Sequence, residues 1–126
     1  MKRTPLRKKS KSELRKAVDK ADRSLQDWYR RHFPDDKCES CGGRAELRHH
    51  FIEKSRSTYL RFHKINLIAL CSKCHTAHHL GHDSRVMARV VLKKGDMWLD
   101  ELMGMASIHA SLTQQLAEQK VEEYKN

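Results

Sequence analysis

A chain of 126 residues, 38% apolar and 33% charged, has room for one small domain with a modest core and excludes a string of several. Its net charge of +10 selects a polyanionic partner, most often nucleic acid. No apolar run follows the basic N-terminus and no segment nears the length of a membrane span. Neither export nor a membrane partner is therefore expected, the chain should be cytoplasmic, and its four cysteines should stay reduced.

The charge is uneven. Residues 1–33 carry a net of +8, residues 34–94 a net of +6 and residues 95–126 a net of −4, so the polyanion should meet the first two thirds. Residues 1–11 hold Lys2, Arg3, Arg7, Lys8, Lys9 and Lys11 without an acid, which reads as a disordered basic arm able to order on a phosphate backbone. A single domain is expected over 12–126: a basic helix over 12–33, a core over 38–80 and further helices over 83–126.

Ser12 is placed to cap the first helix, with Glu13 in its first turn. Leu14, Ala17, Val18, Ala21, Leu25, Trp28 and Tyr29 then recur at helical spacing, and Pro34 stops the pattern near residue 32. Arg15, Lys16, Lys20, Arg23, Arg30 and Arg31 cover the other faces. Residues 45–51 suit a short strand. Residues 53–64 read as an ordered basic loop anchored by Tyr59, Leu60 and Phe62, and Leu67 to Leu70 as a buried strand. Cys74 to Leu80 suits a helix stopped by Gly81. Asp83 or Ser84 caps another, with Val86, Val90 and Val91 inward and Gly95 past its end. Met97, Trp98, Leu99 and Leu102 mark a short helix over 96–103 that closes the core. Residues 106–124 repeat apolar groups weakly at Ile108, Leu112 and Leu116, which fits a helix that either packs back on the domain or pairs with a second copy.

All four cysteines fall into two C-x-x-C knuckles, Cys38/Cys41 and Cys71/Cys74. Each knuckle offers two thiolates from one tight turn, and two knuckles complete the four soft ligands of a tetrahedral structural zinc. Cys71-x-x-Cys74-His75 also matches the covalent haem attachment pattern, but that reading goes with export and leaves Cys38 and Cys41 without a purpose. Beyond the cysteines lie His49-His50, Asn66, His75 and His79. His75 and His79 share a helix face, and a third imidazole from the neighbouring strand would leave open positions on a metal ion. Strand alternation points His49 and His50 to opposite sides, so one can ligate while the other serves as a base.

The order Cys38-x-x-Cys41, His49-His50, Asn66, Cys71-x-x-Cys74-His75-x-x-x-His79 resembles the HNH endonucleases over about residues 38–80. The resemblance implies an α+β fold, with a small ββα-metal core stapled by the four-cysteine zinc and flanked by N- and C-terminal helices. It implies His50 as general base, Asn66 as the residue holding the loop that aims it, and His49, His75 and His79 as ligands of Mg2+ or another divalent ion. His78 stands beside His79 as an alternative there. His78 and His82 otherwise read as solvated or structural, His63 and His109 as bland, and His32 as a helix-end residue. Lys8, Lys9, Arg15, Arg23, Arg30, Lys54, Arg56 and Arg61 are the candidate contacts to DNA, with Arg56 or Arg61 steadying the scissile phosphate.

A longer resemblance runs to the phage NinG/Rap recombination nucleases, carried by His50-Phe51, Leu60-Arg61-Phe62, Asn66, the second knuckle and the Trp-containing stretch from Lys93 to Leu102. It implies a bacterial or phage-infected host cell and branched or junction DNA. This chain departs from that group in its fuller set of histidines, His49 and His75 included. Three classes follow: a metal-dependent DNA endonuclease, a non-catalytic zinc-finger nucleic-acid binder, and a zinc-stapled protein-interaction module using the acidic C-terminal helices. A homodimer through those helices is a further expectation.

Overall fold

The computed structural model describes residues 11–126, so most of the basic arm, with Lys8 and Lys9, lies outside the described residues. Helix α1 spans Glu13–His32, and the Ser12 hydroxyl accepts from the Arg15 N–H at 3.2 Å. Glu13 at its start and Arg30, Arg31 and His32 at its end complement the helix dipole. Its inward stripe is Val18, Ala21 and Leu25, all buried, at the three- and four-residue spacing that lines one face.

Strands β1 (Leu47–His50) and β2 (Leu67–Leu70) form one antiparallel pair, with Leu47 opposite Leu70, Arg48 opposite Ala69, His49 opposite Ile68 and His50 opposite Leu67. Alternation sorts β1 between two layers. Arg48 and His50 are turned toward α1, while Leu47 packs on the cysteine side and His49 meets the helix that follows β2. β2 is buried throughout because both its faces are covered. Leu67 joins Leu25 and Tyr124 on the α1 side, and Ile68 and Leu70 join Cys38, Cys71, Cys74, Val86 and Val90 on the other.

The stretch between the strands is more regular than its polar sequence implies. A single helical turn, α2 (Thr58–Arg61), is capped by Ser57, and a tighter turn follows over Lys64–Asn66. Leu60 and Phe62 are buried anchors, whereas Tyr59 is half-buried and rests against His63.

Helix α3 runs over Ser72–His79, two residues earlier than the sequence implies, because the Cys71 thiol caps it by accepting from the Cys74 N–H at 3.4 Å. α4 spans Ser84–Lys94 with Asp83 as its cap, and α5 spans Asp96–Met105. Gly95 between them sits at φ 89°, a conformation few side chains tolerate. Leu102 closes the core as expected, Trp98 anchors through its indole N–H to the Ile65 carbonyl at 2.9 Å, and Met97 is instead exposed.

The final helix is shorter than the weak apolar repeat over 106–124 implies. α6 covers Gln114–Glu123, capped by Thr113, and residues 108–113 are not helical. It packs back along α1, with Ala117 against Val18, Ala21 and Phe62. No helix among the described residues is long and apolar enough to cross a membrane.

Candidate active site

The four thiols converge. The ligand atoms of Cys38, Cys41, Cys71 and Cys74 lie within 4.8 Å of one another, and the Cys41 and Cys71 sulfurs are 3.6 Å apart. That spacing suits the edge of a tetrahedron with metal–sulfur distances of about 2.3 Å, so the cluster can hold a zinc ion. Backbone turns build it. Gly42 at φ 81° lets the first knuckle close, and the N–H groups of Cys41 and Gly43 point at the sulfurs of Cys38 and Cys41. Burial raises the Cys38 thiol but is outweighed by N–H donors from Cys41, Cys71 and Ser40, which bring it down to about 7. Cys74 is pushed up to about 12 by burial and by its three thiol neighbours. Four sulfurs this close ionise together only around a cation, which is the chemistry of a thiolate metal site.

His49, His75 and His79 form the second cluster, their ligand nitrogens also within 4.8 Å of one another. β1 contributes the first and α3 the other two, one turn apart. Burial pushes His49 down to about 3, assisted by His78, His79, His75 and His50 around it. His75 and His78 are lowered too, by burial and then by the neighbouring rings. Neutral imidazoles are the ligating form, so the crowding prepares these rings for a metal. His78 lies 5.1 Å from His49 between ring centroids but falls outside the three converging ligands.

His50 points the other way along β1. Its Nε2 lies 2.7 Å from the Arg61 carbonyl oxygen, so Nε2 carries the proton and Nδ1 is left as the acceptor. Burial lowers this ring's pKa, opposed by the bond to Arg61. Asn66 is fully buried and ties the intervening loop at both ends. Its Oδ1 accepts from the Ile52 N–H at 2.7 Å, and its Nδ2 donates to the carbonyls of Ile52 at 3.0 Å and Leu60 at 3.3 Å.

His49, His50, His75 and His79 open onto one cleft of about 700 Å3, whose far wall is Asp22, Arg23, Gln26, Asp27 and Arg30 of α1, with Glu53 and Lys54 at its rim. The expected cations divide here. Arg23 lines the cleft without an ion pair among the described residues, and Arg15 is exposed farther up α1. Arg30 pairs with Asp27 at 2.8 Å, Lys54 reaches Asp22 at 3.5 Å, and Arg56 meets Glu53 at 3.6 Å. Arg61 is spoken for: its side chain is largely buried and forks onto Asp22 at 2.7 and 3.3 Å.

Sequence reasoning misses Asp22, Gln26 and Arg48. The Gln26 amide brackets the backbone of Arg48, accepting from its N–H at 3.0 Å and donating to its carbonyl at 2.8 Å, and so acts as a further partner for the free edge of β1. The buried Arg48 guanidinium pairs with Asp36 and lies over the Tyr29 ring. The one available signal is spacing: Asp22 and Gln26 are polar residues four apart on α1, beside its apolar stripe.

The family model described as bacteriophage Lambda NinG protein matches residues 2–126. Neither a curated protein nor a solved structure matches the chain.

Proposed function

The chain belongs to the bacteriophage lambda NinG family, and from that premise we propose that it is a metal-dependent DNA endonuclease of the HNH type. The observation that carries the reading is the pairing in one cleft of a tautomerically locked His50 with a three-histidine cluster of metal-ligand geometry. Among the described residues His50 makes its one side-chain hydrogen bond through Nε2, and its ring lines the same cleft as the three histidines.

In this reading the four-cysteine site holds zinc and keeps β1, β2 and α3 in register. His49, His75 and His79 would hold a divalent ion, one of the first transition row suiting three imidazole nitrogens better than Mg2+, which when bound would supply Lewis-acid stabilisation to a phosphate and its leaving oxygen. His50 Nδ1 takes a proton from water, whose oxygen forms a bond to phosphorus as the bond to the 3′ oxygen breaks, and the released 3′ oxygen takes a proton from solvent. The products are 5′-phosphate and 3′-hydroxyl ends. The depressed pKa keeps His50 unprotonated and ready to accept at neutral pH. Arg23, with Arg15 and Arg30 along α1 and Lys54 across the cleft, contacts backbone phosphates, a contact that carries no base information.

Plasmid, linear duplex and four-way-junction DNA incubated with the purified protein, with and without divalent ions, tests this. His50→Ala should bind DNA and retain zinc but not nick. Nicking that survives in this variant removes His50 as the base. Salt-sensitive binding that yields no cut under any ion would favour the non-catalytic zinc-finger binder.

A further inference from the structure

His50 is aimed by a backbone carbonyl, and a carbonyl is only as fixed as the residue that carries it. The Arg61 carbonyl sits at the end of a four-residue helix in the stretch between β1 and β2. Three ties hold that corner. Asn66 donates to the carbonyl of Leu60 at 3.3 Å, and the Tyr124 hydroxyl donates to the carbonyl of Phe62 at 2.8 Å. Between them, Arg61 itself is held through its side chain by Asp22 of α1. Both side chains of that pair are little exposed, 15% and 17%, and the fork uses two guanidinium nitrogens on the two carboxylate oxygens. Such a two-point contact fixes orientation as well as distance. One turn further along α1, Gln26 brackets the backbone of Arg48 in β1, two residues before His50. α1 thus grips both supports of the His50 ring: the strand that bears it and the carbonyl that orients it.

We propose that Asp22 is a positioning residue for the base, acting through Arg61 to set the His50 ring, an inference that rests on the nuclease reading above. Asp22 faces the cleft yet serves neither as a ligand nor as a proton carrier. Its carboxylate holds Arg61 by the fork and also meets Lys54 at 3.5 Å, and the fork removes Arg61 from the phosphate role its sequence position suggests. α1 lies outside the 38–80 stretch that carries the metal ligands, so the helix that supplies phosphate contacts also completes the catalytic geometry.

The test uses the full chain with D22A, D22E and R61K, and with D19N as a control that removes an exposed ion pair to Lys11 from the same helix. Two readouts are taken: the nitrogen-15 signals of the His50 ring, and plasmid cleavage with Mg2+ or Mn2+. In wild type the ring should show a single Nε2–H tautomer. D22A should convert it to an averaged mixture and lower kcat about 10- to 100-fold, the scale of a misplacement near 1 Å. KM for DNA should stay within about threefold, as expected when an interaction made in the transition state is lost. D22E should recover most of the rate, and D19N should match wild type in both readouts. If D22A does not fold, R61K decides, since it keeps the charge but loses the fork. An unchanged tautomer together with a wild-type kcat in a folded D22A or R61K overturns the proposal. If wild-type protein cuts nothing under any ion, the nuclease reading fails by itself. The ring signal then decides alone, with an unaltered tautomer in D22A overturning the link to His50 and a mixture supporting it.

Discussion

Replacing Asn66 with alanine should loosen the loop behind β1 at a cost that can be worked out from its bonds. The side chain is fully buried and makes three hydrogen bonds. The Leu60 carbonyl keeps the N–H groups of Phe62 and His63 and is not orphaned. Ile52 loses the partners of both its N–H and its carbonyl. At about 1 kcal/mol for a net hydrogen bond to each carbonyl and about 1–3 kcal/mol for the orphaned Ile52 N–H, the loss is about 3–5 kcal/mol. At roughly 3–4 °C per kcal/mol for a domain of this size, the melting midpoint should fall by about 10–20 °C. Asn66→Asp sharpens the case. It keeps an acceptor for the Ile52 N–H but turns the donor into an oxygen facing two carbonyls. That carboxyl should be held protonated in the fold, its pKa raised, so its contribution is present at low pH and lost as pH rises through the folded value. Urea unfolding of both variants at pH 5 and 8 is the assay. An alanine variant within about 1 kcal/mol of wild type, or an aspartate variant with no added pH dependence, would refute the reasoning.

Four further outcomes follow from the same structure. Cys71→Ser, or stripping zinc with a chelator, should cost more than about 4 kcal/mol and abolish cooperative thermal unfolding, with one bound zinc per chain lost by elemental analysis. In protein carrying that zinc alone, His49 should make stability fall as pH drops. Its folded pKa of about 3 lies below the ordinary 6.5, so the unfolded state binds the proton first; the contribution is intact above pH 6.5 and declines below it. The difference between wild type and His49→Asn should shrink by about 2 kcal/mol between pH 7 and pH 5, measured by urea titration at each pH. Tyr124→Phe should cost about 1–2 kcal/mol, because the buried Phe62 carbonyl loses its hydroxyl donor, and calorimetry will show it. Arg23→Ala should weaken DNA binding evenly across sequences and reduce the salt slope by about 1 in a titration from low to moderate salt.

Much of this is legible in the chain because its signals are local. Ser12 and Pro34 flank the stripe from Val18 to Leu25 and fix the limits of one helix. β2 is a continuous apolar tetrad with both faces to cover. The two C-x-x-C turns and the i, i+4 pair His75/His79 are short-range geometry, and alternation alone separates His49 from His50. What stays hidden is the set of contacts between distant residues. Arg61 reads as a free cation because nothing near it in sequence announces Asp22, 39 residues earlier. Gln26 reads as an ordinary surface residue because its partner, 22 residues on, is backbone and has no side-chain signature. The last helix misleads for a different reason. Residues 108–113 lie outside any helix, ahead of the Thr113 cap, and the spaced Ile108 and Leu112 imitate a helical period that is not there.

The docking of α6 on α1 also orders events in time. The cysteine and histidine clusters are complete within Cys38 to His79, and the strands between them pair across a short span of chain. The α1–α6 layer closes only across about a hundred residues, and the Phe62 carbonyl receives its hydroxyl from a residue 62 positions later. Loop closure over such spans is slow compared with hairpin and helix formation. As the chain emerges from the ribosome, the cysteine cluster can therefore form first, while the corner that His50 bonds waits for Tyr124. A nascent chain halted before residue 114 would hold both the cysteine and the histidine cluster and still lack the hydroxyl that anchors the corner beside His50.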